Sequence, residues 1–219
     1  MKRIKFLLLT AVAAILFASC GTTRTVPITG RKQNILVSDE QILSLSNQEY
    51  STFMKSAKLS TDATNTAMVK RVGQRLATAV QNYLVSNGLS AEVKSFSWEF
   101  NLVQNREANA FCMPGGKIVV YEGLLPYTQN EPSLAIVLGH EIAHAVAKHS
   151  AEQMSKQIKN QYGTQILGEV LQAAGASSVT TQLAQIIAQK GLQFRSLKYS
   201  RDHETEADRM GLIFAAMAG

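Results

Sequence analysis

The stretch Leu138-Gly139-His140-Glu141-Ile142-Ala143-His144 decides how this chain is read. It contains HExxH. On a helix, residues four apart share a face, so His140 and His144 can aim two imidazoles at one point. Two neutral imidazoles so placed supply two of the three protein ligands of a catalytic zinc, whose fourth position stays open for water. Glu141 follows the first histidine, and its carboxylate suits a general base acting on that water. The spacing predicts a helix over 133–148, with no internal proline and with Gly139 the only weak helix former beside the site. Leu134, Ile136, Val137, Leu138, Ile142 and Val146 make it apolar nearly all round, which predicts burial. A buried helix with two incidental histidines would share this pattern, so the reading needs a third ligand.

The last predicted helix offers one. Tyr199-Ser200-Arg201-Asp202-His203-Glu204-Thr205-Glu206-Ala207-Asp208 opens it. Glu204 and Asp208 are four apart and share a face. One of the two carboxylates can bind a metal while the other accepts a hydrogen bond from a ligating imidazole. Glu206 lies about 200° from Glu204 on the helical wheel and is expected to point elsewhere. Removing it is expected to change stability by only about 0.5 kcal/mol. An acidic first turn is also favourable to a helix dipole, whatever its other role. His203 is about 100° from Glu204 and is not expected to face a metal. His149, nine residues beyond His140, falls half a turn away and is read as a surface residue.

The chain has 219 residues, 46% hydrophobic and 17% charged, an ordinary balance for one globular domain. Its formal charge of +6 overstates its basicity. Setting aside Lys2, Arg3 and Lys5 takes the basic count from 22 to 19 against 16 acids, a net of +3. That is too small and too scattered for nucleic-acid binding.

Residues 1–20 read as a signal peptide. Lys2, Arg3 and Lys5 precede an apolar run from Phe6 to Phe17, which is short for a membrane span. The run ends Phe17-Ala18-Ser19-Cys20, similar to a bacterial lipobox, though with Phe17 where Leu is usual. On that reading Cys20 is the lipidation site and the mature N-terminus; an ordinary signal peptide with a stray cysteine, or an uncleaved anchor, shares the pattern. Gly21 after Cys20, by resemblance to lipoprotein sorting, implies the outer membrane. Only Cys20 and Cys112 are present, so no structural disulfide is expected and Cys112 is read as a buried apolar residue.

Residues 21–37, polar and Thr-rich, read as a tether. Ser38-Asp39-Glu40-Gln41 resembles a capping box and opens a predicted helix from about Asp39 to Ala57. A second follows Asp62, with Val69, Val72, Leu76, Val80 and Tyr83 at helical spacing, and ends near Gly88. Residues 96–102 alternate as a strand, 109–113 read as another and 117–121 as a third, with Pro114-Gly115-Gly116 as the turn. An exposed strand edge beside the HExxH helix can bind an extended peptide as an added strand, which makes Asn109, Ala110 and Phe111 the candidate substrate strand. A plain structural hairpin fits the same residues. From Ser150 to Gln193 the pattern is helical, with apolar stripes at Ile166, Leu167, Val170 and Leu171 and at Leu183, Ile186 and Ile187.

Four ordered segments together resemble a family: His140-Glu141-Ile142-Ala143-His144; Glu204-Thr205-Glu206-Ala207-Asp208; Asn109-Ala110-Phe111-Cys112-Met113-Pro114-Gly115-Gly116; and Gly123-Leu124-Leu125. They are similar to the membrane-associated zinc metallopeptidases that include HtpX-like, BepA-like and CAAX-prenyl-protease enzymes. Val26 to Ser38 also resembles the N-terminal segment of exported lipoprotein members. The resemblance implies an α+β, mainly helical, zincin-like (gluzincin) fold over 38–219, with a small antiparallel sheet beside the HExxH helix. It implies one zinc ion held by His140, His144 and Glu204, with Asp208 behind them and Glu141 as catalytic base. The implied function is hydrolysis of peptide bonds in unfolded or misassembled proteins of the bacterial cell envelope. The alternative is a lipid-anchored assembly factor or chaperone that cuts little. Two departures stand out. The hydrophobic spans of HtpX-like members are absent, and members usually continue past the position of Gly219, so the domain is expected to be C-terminally incomplete.

Overall fold

The segment read as a tether begins the structure as a β-hairpin. The structure is a computed structural model that describes residues 22–172, 194 and 197–219. The leader with Cys20 and the stripe at Leu183, Ile186 and Ile187 lie outside those residues. Strand β1 (Thr22–Thr25) pairs antiparallel with β2 (Lys32–Ile35), Thr22 opposite Ile35 and Thr25 opposite Lys32. Val26, Ile35 and Val37 are buried. A composition of Thr, Val and Ile serves a short strand as well as a linker, and the alternating burial of β2 anchors the hairpin to the domain.

Helix α1 (Asp39–Ser56) starts at the expected capping box: Ser38 Oγ accepts from Gln41 N, and Gln41 Oε1 accepts from Ser38 N. Helix α2 (Ala63–Ser86) is capped by Asp62 and buries Val69, Val72, Leu76, Val80 and Leu84 along one face. Then come β3 (Glu99–Val103), β4 (Ala110–Met113) and β5 (Lys117–Tyr121). Their order in the sheet is β3-β5-β4. The β4–β5 pair is the expected antiparallel hairpin, turned by Gly115 and Gly116 at φ +88° and +83°. The β3–β5 pair is parallel. The sheet is therefore mixed rather than antiparallel: β5 inserts between the two strands that precede it. Alternation along a strand reports which side chains are buried and carries no information about the direction of a neighbour.

Strand β5 is buried along its whole length, and it divides two cores. Ile118 and Val120 join α2 and the later helices; Val119 and Tyr121 join Ile35, Val37, Met154 and Ile158 beneath the hairpin. Helix α3 (Glu131–Val146) begins two residues earlier than expected, because Asn130 caps it and Pro132 fits its first turn. It ends at Ala147. Lys148 takes a left-handed φ of +55°, and helix α4 (His149–Gln172) sets off on a new axis. Lys148 Nζ holds that turn through Asp39 at 2.9 Å and Glu92 at 2.7 Å.

Helix α5 (Arg201–Ala218) packs on α3 more extensively than any other pair of elements. Glycines permit the approach. A Cβ on Gly139 would stand 2.7 Å from the Gly211 carbonyl oxygen, and one on Gly211 2.6 Å from His140 N. Gly139, a weak helix former by propensity, is thus where the two backbones touch. Among the described residues, no helix is long and apolar enough to cross a membrane.

Candidate metal centre

The α3–α5 contact brings His140, His144 and Glu204 together. Their donor atoms all lie within 4.8 Å of one another. His140 Nε2 and His144 Nε2 are 3.0 Å apart, and Glu204 Oε2 is 3.3 Å from the first and 3.7 Å from the second. Bonds of about 2 Å in a tetrahedral arrangement separate ligand atoms by about 3.3 Å, so this spacing fits a zinc-sized cation.

The chemistry of the donors fits as well. His140 Nδ1 lies 2.8 Å from Asp208 Oδ1. A carboxylate accepts only, so Nδ1 carries the proton and Nε2 presents a lone pair toward Glu204 and His144. His144 is buried and stacks on Tyr199, ring centroids 4.1 Å apart at 17°. Burial, then the neighbouring His149, His140 and His203, bring its pKa down to about 2. It is a neutral imidazole, the form that binds metal.

Glu141 lines a cavity of about 270 Å³. Burial, then the Glu204 charge, push its carboxyl up to about 8, opposed by a hydrogen bond from the Cys112 backbone. That bond ties α3 to β4. Asn109, Ala110, Phe111, Cys112, Phe194 and Tyr199 line the same cavity. The candidate substrate strand is therefore the sheet's edge and borders Glu141. Cys112 is buried as expected, and burial raises its thiol well above the ordinary value.

Two residues expected elsewhere sit beside the centre. His149 is fully buried, not on the surface. A half-turn offset from His140 holds only on one unbroken helix through His149, and the left-handed turn at Lys148 re-aims the ring. Its Nδ1 is 2.8 Å from His144 Nδ1 and its Nε2 is 2.9 Å from Glu206 Oε2. Glu206 does point away from Glu204, but into the protein rather than into solvent: it is 7% exposed. Arg31 Nε donates to its Oε2 at 2.8 Å, and Thr29 donates to its Oε1. Arg31 also makes a two-pronged pair with Glu152 at 3.1 and 2.8 Å. Glu152 in turn meets His203 Nε2 at 3.1 Å and Lys156 at 2.8 Å. His203 is buried here, outside the donor trio. A signal for these positions was present: Ala207, Met210 and Phe214 form the buried stripe of α5, and its upward continuation at helical spacing is His203 and Glu206.

Residues 63–219 match the model of peptidase family M48. A mitochondrial metalloendopeptidase OMA1 of Schizosaccharomyces pombe is 37% identical over 126 residues, 58% of this chain and 35% of the relative. The mitochondrial metalloendopeptidase OMA1 of Bos taurus is 32% identical over 195 residues, 88% of this chain and 36% of its own. The beta-barrel assembly-enhancing protease of Escherichia coli K12 is 29% identical over 209 residues, 92% and 39% respectively. The chain thus spans less than half the length of these relatives.

Proposed function

The chain belongs to peptidase family M48, and on that footing we propose that it is a zinc-dependent endopeptidase of zincin-like, gluzincin architecture. The observation that carries the reading is the convergence of three neutral or anionic donors on α3 and α5, with Glu141 lining a cavity beside the edge strand β4. His140, His144 and Glu204 would hold the zinc. Bound there, zinc supplies Lewis-acid polarisation of the scissile carbonyl and a lowered pKa for the attacking water. The residues of the chain do the rest. Asp208 fixes the His140 ring through its Nδ1 proton. Tyr199 packs flat on His144 and, through Ser150 at 2.8 Å, is itself held. A peptide lies along β4 as an added strand, at Asn109, Ala110 and Phe111. Glu141 takes one proton from the water as its oxygen bonds to the carbonyl carbon, and delivers it to the leaving amine as the C–N bond breaks.

The substrates on this reading are unfolded or misassembled envelope proteins, in keeping with the name of the Escherichia coli relative. The words assembly-enhancing in that name are what supports the second reading, an assembly factor with little proteolysis. Nothing in the net charge favours nucleic acid as a partner.

Dialysis against a strong chelator is expected to abolish cleavage of casein, and one equivalent of Zn²⁺ to restore it where Mg²⁺ or Ca²⁺ does not. Cleavage indifferent to chelation would end the metallopeptidase reading. The proposed address is a lipid on Cys20 and the periplasmic face of the outer membrane. Cys20→Ala is expected to lose the acyl mass and the detergent-phase partitioning; an unchanged mass and partition would rule the lipid out.

A further inference from the structure

We propose that His149 is a positioning residue for the metal centre: it accepts the Nδ1 proton of His144 and thereby keeps the Nε2 lone pair of His144 aimed at the donor set. The inference rests on reading His140, His144 and Glu204 as metal donors. The hydrogen bonds have one consistent direction. Glu206 Oε2, 2.9 Å from His149 Nε2, is a carboxylate oxygen and accepts only, so Nε2 carries the His149 proton. His149 is fully buried, and its Nδ1 and the His144 Nδ1, 2.8 Å apart, can share only one proton. Its Nδ1 therefore has a lone pair. The atom 2.8 Å from it is His144 Nδ1, which must donate. That leaves His144 Nε2 unprotonated, and it is the nitrogen beside His140 Nε2 and Glu204 Oε2.

The far end is pinned with equal completeness. Glu206 Oε2 also accepts from Arg31 Nε, and Oε1 accepts from Thr29. Arg31 is held from its other side by both oxygens of Glu152. Thr29 and Arg31 come from the connection between the two strands of the N-terminal hairpin, Glu206 from α5, His149 from α4 and His144 from α3. His140 is oriented by one carboxylate directly; His144 is oriented by a carboxylate through an intervening imidazole. The second arrangement lets a segment at the start of the chain bear on the metal site.

Two substitutions separate this role from space-filling. Glutamine at 149 can accept from His144 through its carbonyl and donate to Glu206 through its amide. Phenylalanine keeps the ring, including the stack on His203 at 4.4 Å, but can do neither. Zinc affinity is measured by competition with a chromophoric chelator, alongside the melting temperature of the metal-free proteins. His149→Phe is expected to bind zinc about 10–100-fold more weakly, and His149→Gln to return to within a few-fold of wild type. Phe equal to or better than Gln overturns the proposal, as does equal weakness of both. Should His149→Phe fail to fold, long-range proton–nitrogen correlation on metal-free wild type decides: His144 protonated at Nδ1 and His149 at Nε2 support it, and either opposite tautomer overturns it. If wild type and His144→Ala bind zinc equally poorly, the donor set itself is misread and the relay falls with it.

Discussion

Glu141→Gln is expected to give a folded, zinc-loaded protein that no longer cleaves casein or itself. The substitution keeps size and shape, and the amide oxygen can still accept from the Cys112 backbone, so β4 stays docked on α3. His140, His144 and Glu204 are untouched, and zinc content after dialysis should match wild type. What disappears is the carboxylate proposed to take a proton from water and return it to an amine. General acid–base contributions of this kind are worth about 10²–10⁴-fold in rate. Cleavage at wild-type speed would sink the assigned role. Biological function retained without cleavage would move the balance to the assembly-factor reading.

The acidic run of α5 should split into three phenotypes. Glu204→Ala removes one of the three donors and is expected to abolish zinc retention against a graded chelator, with the helix intact because its first turn keeps Asp202 and the Ser200 cap. Asp208→Ala leaves the trio in place and frees the His140 ring, for a loss of about 10–100-fold in affinity. Glu206→Ala is the change that sequence geometry alone would rate as harmless. In the structure it strips a buried carboxylate from Arg31, Thr29 and His149. Breaking a buried pair in this way costs about 3–5 kcal/mol, and because Arg31 keeps Glu152 the lower end is expected. The pH dependence carries the same signature. Burial alone would raise the Glu206 carboxyl, but hydrogen bonds from Arg31, His149 and Thr29 outweigh it and bring it to about 2. A depressed folded-state pKa means stability that is fully present above about 4.5, the ordinary value, and lost as pH falls toward 2. Denaturant midpoints across that window should decline more steeply for wild type than for Glu206→Ala. A variant with an unchanged midpoint at neutral pH would show that the buried network contributes nothing.

Much of this was readable from local pattern. HExxH, the capping box at Ser38, the turn at Gly115-Gly116 and the i, i+4 pair Glu204/Asp208 all express periodicities that a short window contains. Thr22–Ile35 was misread because β-branched polar residues suit a linker and a hairpin alike, and the distinction lies in Val26 and Ile35 finding a core contributed by distant helices. The parallel β3–β5 pairing was hidden because strand order is a property of the whole topology. His149 was lost to a single dihedral. A left-handed Lys148 has no compositional mark, since glycine or asparagine would ordinarily signal it, and the ion pairs that hold it come from Asp39 and Glu92. Arg31, Glu152 and Glu206 are brought together only by tertiary structure.

The touching backbones at Gly139 and Gly211 couple cation occupancy to folding. His140 and His144 stand on one side of that contact and Glu204 on the other, so a cation shared by all three belongs to the docked arrangement alone. A ligand that binds only the folded state displaces unfolding by mass action, by about 4 kcal/mol when its free concentration is about a thousand times its Kd. On the proposed reading, the melting temperature of this protein is then a function of zinc activity rather than a constant. On the same reading, a zinc-poor compartment lowers the stability of the protein, with no inhibitor required.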